Sequence, residues 1–345
     1  MKISLICFTE AGAGLCRTLM AGLTKAREEC EGFGPEDKGL FPVDVSLKEW
    51  TKEQFHKKDA IFFIGAAGIA VRAIAPFLQG KEKDPAVVVL DDMGQFSISL
   101  LSGHLGGANE LANRAAEITG ALAVITTATD NHGKFAVDLF AKEHGLFITQ
   151  IHKIKEISSA VLKGKTVGFY SDFPIEGNLP EGLIKNQPGL ADLYITIKDK
   201  TEEDRSHSLK LVPRIVVLGI GCRKGVAEQV IKAAVDQVLK EWNISKESLA
   251  VCASIDIKKE ETGICEFAAF HGIPFVTYPA EVLCAEEGDF SSSSFVKQIT
   301  GVDNVCERAA AVCVKELGGG SLLVKKQAVN GVTVAVAVRD WKVIV

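Results

Sequence analysis

Short apolar runs alternate with longer segments of helical periodicity, and this alternation limits the chain to very few folds. Ile3 to Phe8, Asp59 to Ile64 and Ala86 to Leu90 are such runs. They are apolar nearly throughout rather than at every second position, as in strands buried on both faces. A strand of that kind needs a helix layer above and below it, and the intervening segments supply both. The first strand is expected to pass through a Gly12/Gly14 loop into a helix, and Gly65 and Gly68 to open a helix carrying Arg72. Phe96 to Leu101 then leads through Ser102-Gly103-His104 to a helix from about Ala108 to Thr119. A strand at Leu122 to Thr127 and a helix at Lys134 to Glu143 complete the first third.

At 345 residues the chain exceeds one typical core. From Leu146 to His207 the texture changes, with Pro174, Pro180 and Pro188, short strands at Thr166 to Tyr170 and Leu193 to Ile197, and the charged run Lys198 to Arg205. Alternation returns at a strand from Ile215 to Leu218, followed by Gly219, Gly221 and Gly225 and a helix with Val226, Val230, Ala234 and Val238 on one stripe. Strands at Leu249 to Ile255, Pro274 to Tyr278 and Thr333 to Val338, with helices at Glu261 to His271 and Val305 to Leu317, follow. The expected fold class is α/β. N-terminal (1–145) and C-terminal (211–345) domains with mostly parallel sheets are joined by a small α/β middle domain (146–210).

Composition removes several function classes. A net charge of −5 gives no global drive toward nucleic acid or anionic lipid. The longest apolar stretch, Ala60 to Leu78, holds Arg72, Pro76 and two glycines, which fits a strand–turn–helix better than a membrane span. The start MKISLICF lacks a signal-type cleavage pattern and reads as a strand. Nine cysteines, an odd number without C-x-x-C pairs, form neither a disulfide framework nor a zinc spacing, and they point to a reducing cytoplasm. The seven histidines show no ligand spacing, so no protein-bound metal is expected. There is no P-loop, no G-x-S-x-G elbow and no H-E-x-x-H.

The most informative segment is Leu100 to Glu117, LLSGHLGGANELANRAAE. It sets Gly103, His104, Gly106, Gly107 and Asn109 between a strand and a helix, where ligands bind in open α/β sheets. Helix-start amides attract carboxylates, and His104 suits proton transfer near neutral pH. The plainer alternative is a glycine-rich turn with a capping histidine. Asp91 and Asp92 are either carboxylates sharing a proton or turn formers before Met93-Gly94. Arg72 faces either a structural carboxylate or an acidic substrate. VVLGIGCRKG has the spacing G-x-G-x-x-x-G, a weak match to a dinucleotide fingerprint. Lys258 and Glu261 lie in a dense charge cluster at a strand end, which by spacing alone is a solvated loop.

These strings resemble the cobalt-precorrin-5A hydrolase family of anaerobic cobalamin biosynthesis. The resemblance rests on GAAGIAVRAIAP (65–76), KEKDPAVVVLDDMG (81–94), LLSGHLGGANELA (100–112) and VITTATD (124–130). VLGIGCRKG (217–225), SIDIKKEE (254–261) and the Ala309–Ala311 helix before Gly318 extend it to nearly the whole chain. Arg308 departs from the small residue expected in that helix.

The resemblance implies a substrate, a cobalt-bound contracted tetrapyrrole whose δ-lactone is opened with loss of acetaldehyde to give cobalt-precorrin-5B. It implies no cofactor, because cobalt arrives with the substrate, and a partner list without nucleic acid or membrane. A homodimer or transient contact with other pathway enzymes is compatible with it. For that chemistry the residues offer His104, Asp91 or Asp92 as base. Amides near Gly106 and Gly107 are oxyanion donors. Arg72, Lys81, Gly103, Asn109, Gly219, Gly221, Arg223, Lys258 and Glu261 are candidate substrate contacts. The competing functions are a nucleotide-dependent oxidoreductase, resting on Gly219, Gly221 and Gly225, and a non-catalytic corrinoid carrier.

Overall fold

Strand β1 (Lys2–Cys7) passes into helix α1 (Glu10–Lys25) through Phe8 and Thr9 alone, and Thr9 caps the helix by accepting the Gly12 amide at 3.0 Å. Gly12 and Gly14 therefore lie inside α1, a correction to the expected glycine loop. A Cβ at Gly12 would stand 3.2 Å from Cys7 Cβ and 3.3 Å from Ile64 Cγ2, so its absence lets the helix start lie close on the sheet. The computed structural model describes residues 1–35, 39–80, 83–104, 106–126, 134–201 and 208–345, which leaves Lys81 outside the described residues. Two compact units divide the chain, Met1–Leu139 and Phe140–Val345.

In the first unit β2 (Glu29–Phe33), α2 (Leu47–Lys57), β3 (Ala60–Ile64), α3 (Ala67–Ile74), β4 (Ala86–Leu90), β5 (Phe96–Leu101), α4 (Ala108–Thr119) and β6 (Leu122–Val124) follow β1 and α1. The sheet order is β2-β1-β3-β4-β5-β6, with every pairing parallel except β4–β5. Ile3, Leu5, Phe62, Ile64, Val88 and Leu90 pack under Leu19, Leu23 and Leu111 on one face. Their neighbours Ile61, Phe63, Val87 and Val89 pack against Trp50, Phe55 and Ile74 on the other. Double-sided burial, read from the unbroken apolar runs, is thus what the sheet uses.

β2 and α2 were not legible as apolar runs. β2 reads ECEGF and is an edge strand, which tolerates charge. α2 is announced by its cap instead: Ser46 Oγ accepts the Glu49 amide while the Glu49 carboxylate accepts the Ser46 amide, a complete capping box.

Helix α5 (Val137–Glu143) spans the boundary between the units. The second unit then holds β7 (Leu146–Ile148), α6 (Ile154–Leu162), β8 (Val167–Ser171), β9 (Ile175–Glu176), β10 (Leu183–Lys185), β11 (Leu193–Ile195) and β12 (Leu209–Pro213). Their sheet runs β10-β8-β11-β12-β7, parallel but for β7. Next come β13 (Val216–Cys222), α7 (Glu228–Glu241), β14 (Leu249–Ile255), α8 (Thr262–His271), β15 (Phe275–Tyr278), α9 (Ala280–Ala285), α10 (Ser294–Thr300) and α11 (Val305–Glu316). The chain continues through β16 (Gly320–Val329), β17 (Val332–Arg339) and β18 (Val343–Ile344), and β18 pairs with β9. The last sheet, β15-β14-β13-β17-β16, joins parallel β13–β15 to an antiparallel β16–β17 hairpin. Asn330 (φ 49°) and Gly331 (φ 82°) form its two-residue turn. The architecture is α/β with mostly parallel sheets.

Two local expectations need correction. β13 runs on to Cys222, so Gly219 and Gly221 are strand residues rather than loop residues. The buried face of α7 is Ile231, Ala234, Val235 and Val238, while Val226 precedes the helix and Val230 is exposed. The stripe at i, i+3, i+4 and i+7 wins over the one read at a strict four-residue step.

Candidate functional site

The loop after β5 is organised by its own backbone. Ser102 adopts a left-handed φ of 56° and its Oγ donates to Asp84 O at 3.0 Å. Its carbonyl accepts the Ala108 amide at 3.1 Å, Gly103 O accepts Asn109 N at 3.0 Å, and His104 O accepts Gly107 N at 3.1 Å. The amides expected to bind an oxyanion at Gly107 and the start of α4 therefore close the loop on itself. The glycines are needed for that closure. A Cβ at Gly103 would lie 2.6 Å from Asn109 Oδ1, one at Gly106 would lie 2.5 Å from Ser102 Cβ, and Gly107 sits at φ 87°. Asn109 Oδ1 also accepts from Ser99 Oγ at 2.6 Å, which ties α4 to β5.

His104 projects from this loop to Asp138 in the first turn of α5, with Nδ1 3.2 Å from Oδ1. Asp138 was missed from sequence. Its signal is a lone acid inside the apolar run FAVDLFA, Phe135 to Ala141. A buried carboxylate facing Nδ1 favours the tautomer that carries hydrogen there and leaves the basic lone pair on Nε2.

Asp91 and Asp92 are not part of this constellation. β5 runs antiparallel to β4, with Leu90 opposite Ser97 and Val87 opposite Leu101. The loop after β5 thus sits at the amino end of β4, while Asp91 follows its carboxyl end, about 15 Å away for a five-residue strand. Asp91 caps the β4–β5 turn, its Oδ1 accepting Phe96 N at 2.6 Å and its Oδ2 accepting Met93 N at 3.2 Å. Asp92 accepts from Thr9 Oγ1 at 3.4 Å. Each carboxylate has its own donors, so the shared-proton pair gives way to turn chemistry. Arg72 is exposed and donates to Gly68 O at 3.3 Å within its own helix.

In the second unit the carboxyl ends of β13 and β14 bring Gly225, Lys258 and Glu261 together. Glu261 Oε1 accepts the Gly225 amide at 2.6 Å and Oε2 accepts Lys258 Nζ at 2.7 Å. The Lys258 ammonium beside it holds the Glu261 carboxyl below the usual carboxylate range, and the Gly225 amide adds to the effect. Lys258 and Glu261 therefore form a built, largely buried ion pair, while Asp256, Lys259 and Glu260 of the same cluster are exposed. Arg223 is exposed at the same turn. Gly219 is accounted for by packing, since a Cβ there would stand 1.8 Å from Cys306 O. Gly221 faces Thr333, whose Oγ1 would be 2.6 Å from an added Cβ. Close packing explains two of the glycines that suggested a nucleotide site.

Arg308 has a structural role of its own. Nε donates to Asp303 Oδ1 at 2.9 Å and Nη1 to Glu286 O and Leu283 O, with the guanidinium 4.7 Å over the Phe290 ring. Beside it Glu307 is fully buried and accepts from Ser291 N, Ser291 Oγ and Lys326 N. Among the described residues no three His, Cys, Asp or Glu side chains converge as a metal site, and no helix is long and apolar enough to cross a membrane.

Comparison with known proteins covers the chain in three parts. Residues 49–130 match a family described as cobalamin synthesis G N-terminal, 135–213 the cobalamin biosynthesis central region, and 216–337 cobalamin synthesis G C-terminus. The cobalt-precorrin-5A hydrolase of Salmonella typhimurium is 33% identical, over 98% of this chain and 97% of its own. That of Priestia megaterium is 32% identical, over 82% and 79%. A solved cobalamin biosynthesis protein G homologue from Sulfolobus solfataricus is 22% identical over 98% of this chain and 97% of its own, with a TM-score of 0.43.

Proposed function

The chain belongs to the cobalt-precorrin-5A hydrolase family, and from that premise we propose that it hydrolyses cobalt-precorrin-5A to cobalt-precorrin-5B with release of acetaldehyde. The observation that carries this is the end-to-end match, 33% identity over 98% of this chain and 97% of a named hydrolase. Water adds to the lactone carbonyl and the acyl–oxygen bond breaks, giving a carboxylate and a hydroxyl on the two-carbon fragment. That hydroxyl then loses its proton as the carbon–carbon bond behind it breaks, so the fragment leaves as acetaldehyde and the bond's electron pair stays with the corrinoid ring. The chain needs no cofactor for this, because cobalt enters with the substrate. Nine unpaired thiols support a reducing cytoplasm as its compartment.

His104 is the general base in this proposal, and Asp138 is the positioning residue that orients its ring and stabilises the imidazolium. The 3.2 Å contact supports that assignment. Asp91, bonded into a turn, does not compete for it. Purified protein incubated with cobalt-precorrin-5A should release one acetaldehyde per corrinoid consumed. Corrinoid binding without acetaldehyde would make the chain a carrier instead.

A further inference from the structure

The middle sheet of the second unit carries a pocket that none of the sequence motifs touches. It has a volume of about 610 Å³ and opens at the carboxyl ends of the neighbouring parallel strands β8 and β11. Tyr170 and Asp172 come from the end of β8, Tyr194 and Thr196 from β11 and its exit, and Lys198 and Lys200 from the segment that follows. After β8 the chain pairs β10 on one side of it and then crosses to β11 on the other. In an open α/β sheet such a reversal leaves a crevice outside the carboxyl ends, the place where ligands bind.

The walls are held by more than packing. Asp172 accepts from Thr196 Oγ1 at 2.6 Å, Tyr170 Oη at 2.8 Å and Lys198 Nζ at 3.4 Å. Asn243, in a left-handed conformation at φ 53°, grips the Lys200 backbone from both sides, accepting its amide at 2.9 Å and donating to its carbonyl at 2.8 Å. Lys200 is thereby fixed at the rim, while its ammonium meets no carboxylate among the described residues. Among the described residues the lining holds two lysines, Lys198 and Lys200, against the single carboxylate of Asp172, beside two tyrosine rings. That combination suits a carboxylate carried on an apolar, unsaturated body.

We propose that this pocket holds a carboxylate-bearing side arm and the adjoining ring edge of the corrinoid substrate, with Lys200 as its anion contact. The assignment rests on the hydrolase function proposed above. It gives the middle sheet a role in binding, apart from the proton transfer assigned to His104.

The test compares wild type with Lys200→Glu and Tyr170→Phe, using cobalt-precorrin-5A as the probe. Affinity is read from its absorbance change, and kcat and KM from acetaldehyde release. Lys200 is exposed at the rim, so Lys200→Glu should keep the wild-type melting temperature. Loss of a charge-assisted contact should raise Kd and KM about ten- to a hundredfold and leave kcat within about twofold. Tyr170→Phe keeps the ring and should weaken binding less. Wild-type affinity in a folded Lys200→Glu protein would overturn the pocket assignment and leave the hydrolase function standing. A wild-type protein that does not bind cobalt-precorrin-5A would overturn both.

Discussion

His104 Nδ1 lies 3.2 Å from Asp138 Oδ1, with the two side chains 12% and 9% exposed. As the base proposed above, His104 should dominate turnover. His104→Ala should fold, bind the corrinoid, and release acetaldehyde about 10²–10⁴-fold more slowly. Asp138→Asn keeps the shape and removes the orienting charge, so a loss of at least about tenfold is expected, with KM little changed. A His104→Ala protein of wild-type kcat and lowered melting temperature would reassign the residue to loop structure.

Glu261 sets a pH-dependent term in the second unit. Its folded carboxyl pKa is depressed by Lys258, so the stabilisation is fully present above the unfolded value of about 4.3 and is lost as pH falls through the lower folded value. Glu261→Gln should destabilise the protein by about 1–3 kcal/mol at pH 7. Urea midpoints of wild type and variant should converge in acid. A gap unchanged from pH 7 to pH 3 would show that the ion pair contributes nothing.

Gly219 and Gly14 should respond to alanine in opposite directions. A Cβ at Gly219 meets the Cys306 carbonyl at 1.8 Å, so α11 must move off the sheet. The expected cost is about 1–3 kcal/mol. Gly14 lies inside α1 with nothing within 4 Å of an added Cβ, so Gly14→Ala should stabilise by about 0.5–1 kcal/mol. Denaturant midpoints of the two variants check both signs.

The thiols should prove inert toward chemistry. Burial pushes the Cys306 thiol up to about 12 and also raises Cys252, which leaves almost no thiolate at neutral pH. Cys284 is exposed. Brief native alkylation should modify Cys284 first, leave Cys252 and Cys306 untouched by mass, and preserve turnover. Rapid inactivation that substrate prevents would indicate a cysteine nucleophile.

Much of the fold follows from local physics that the sequence displays by itself. Ala86–Leu90 and Leu249–Ile255 are strands because a continuous apolar run is soluble only between two helix layers. Ala108–Thr119 is a helix bounded by glycines at φ 87° and 79°. The antiparallel direction of β5 stood outside the parallel-sheet expectation, although Asp91 to Gln95 is too short for a parallel crossover, which takes a dozen residues or more. Weakly apolar elements such as β2 escaped, because an edge strand needs little hydrophobicity.

What only the tertiary structure decided is which groups meet. Reversal at β5 moved His104 away from Asp91 and toward Asp138, 34 positions along the chain. The carbonyl of Cys306 explains Gly219, and Asn243 places Lys200 at a pocket 43 positions before it. Apolar periodicity is a property of neighbours within a few residues, so sequence reports which face a residue takes. A site is made by side chains distant in sequence, and their distances are set by sheet order, strand direction and close packing.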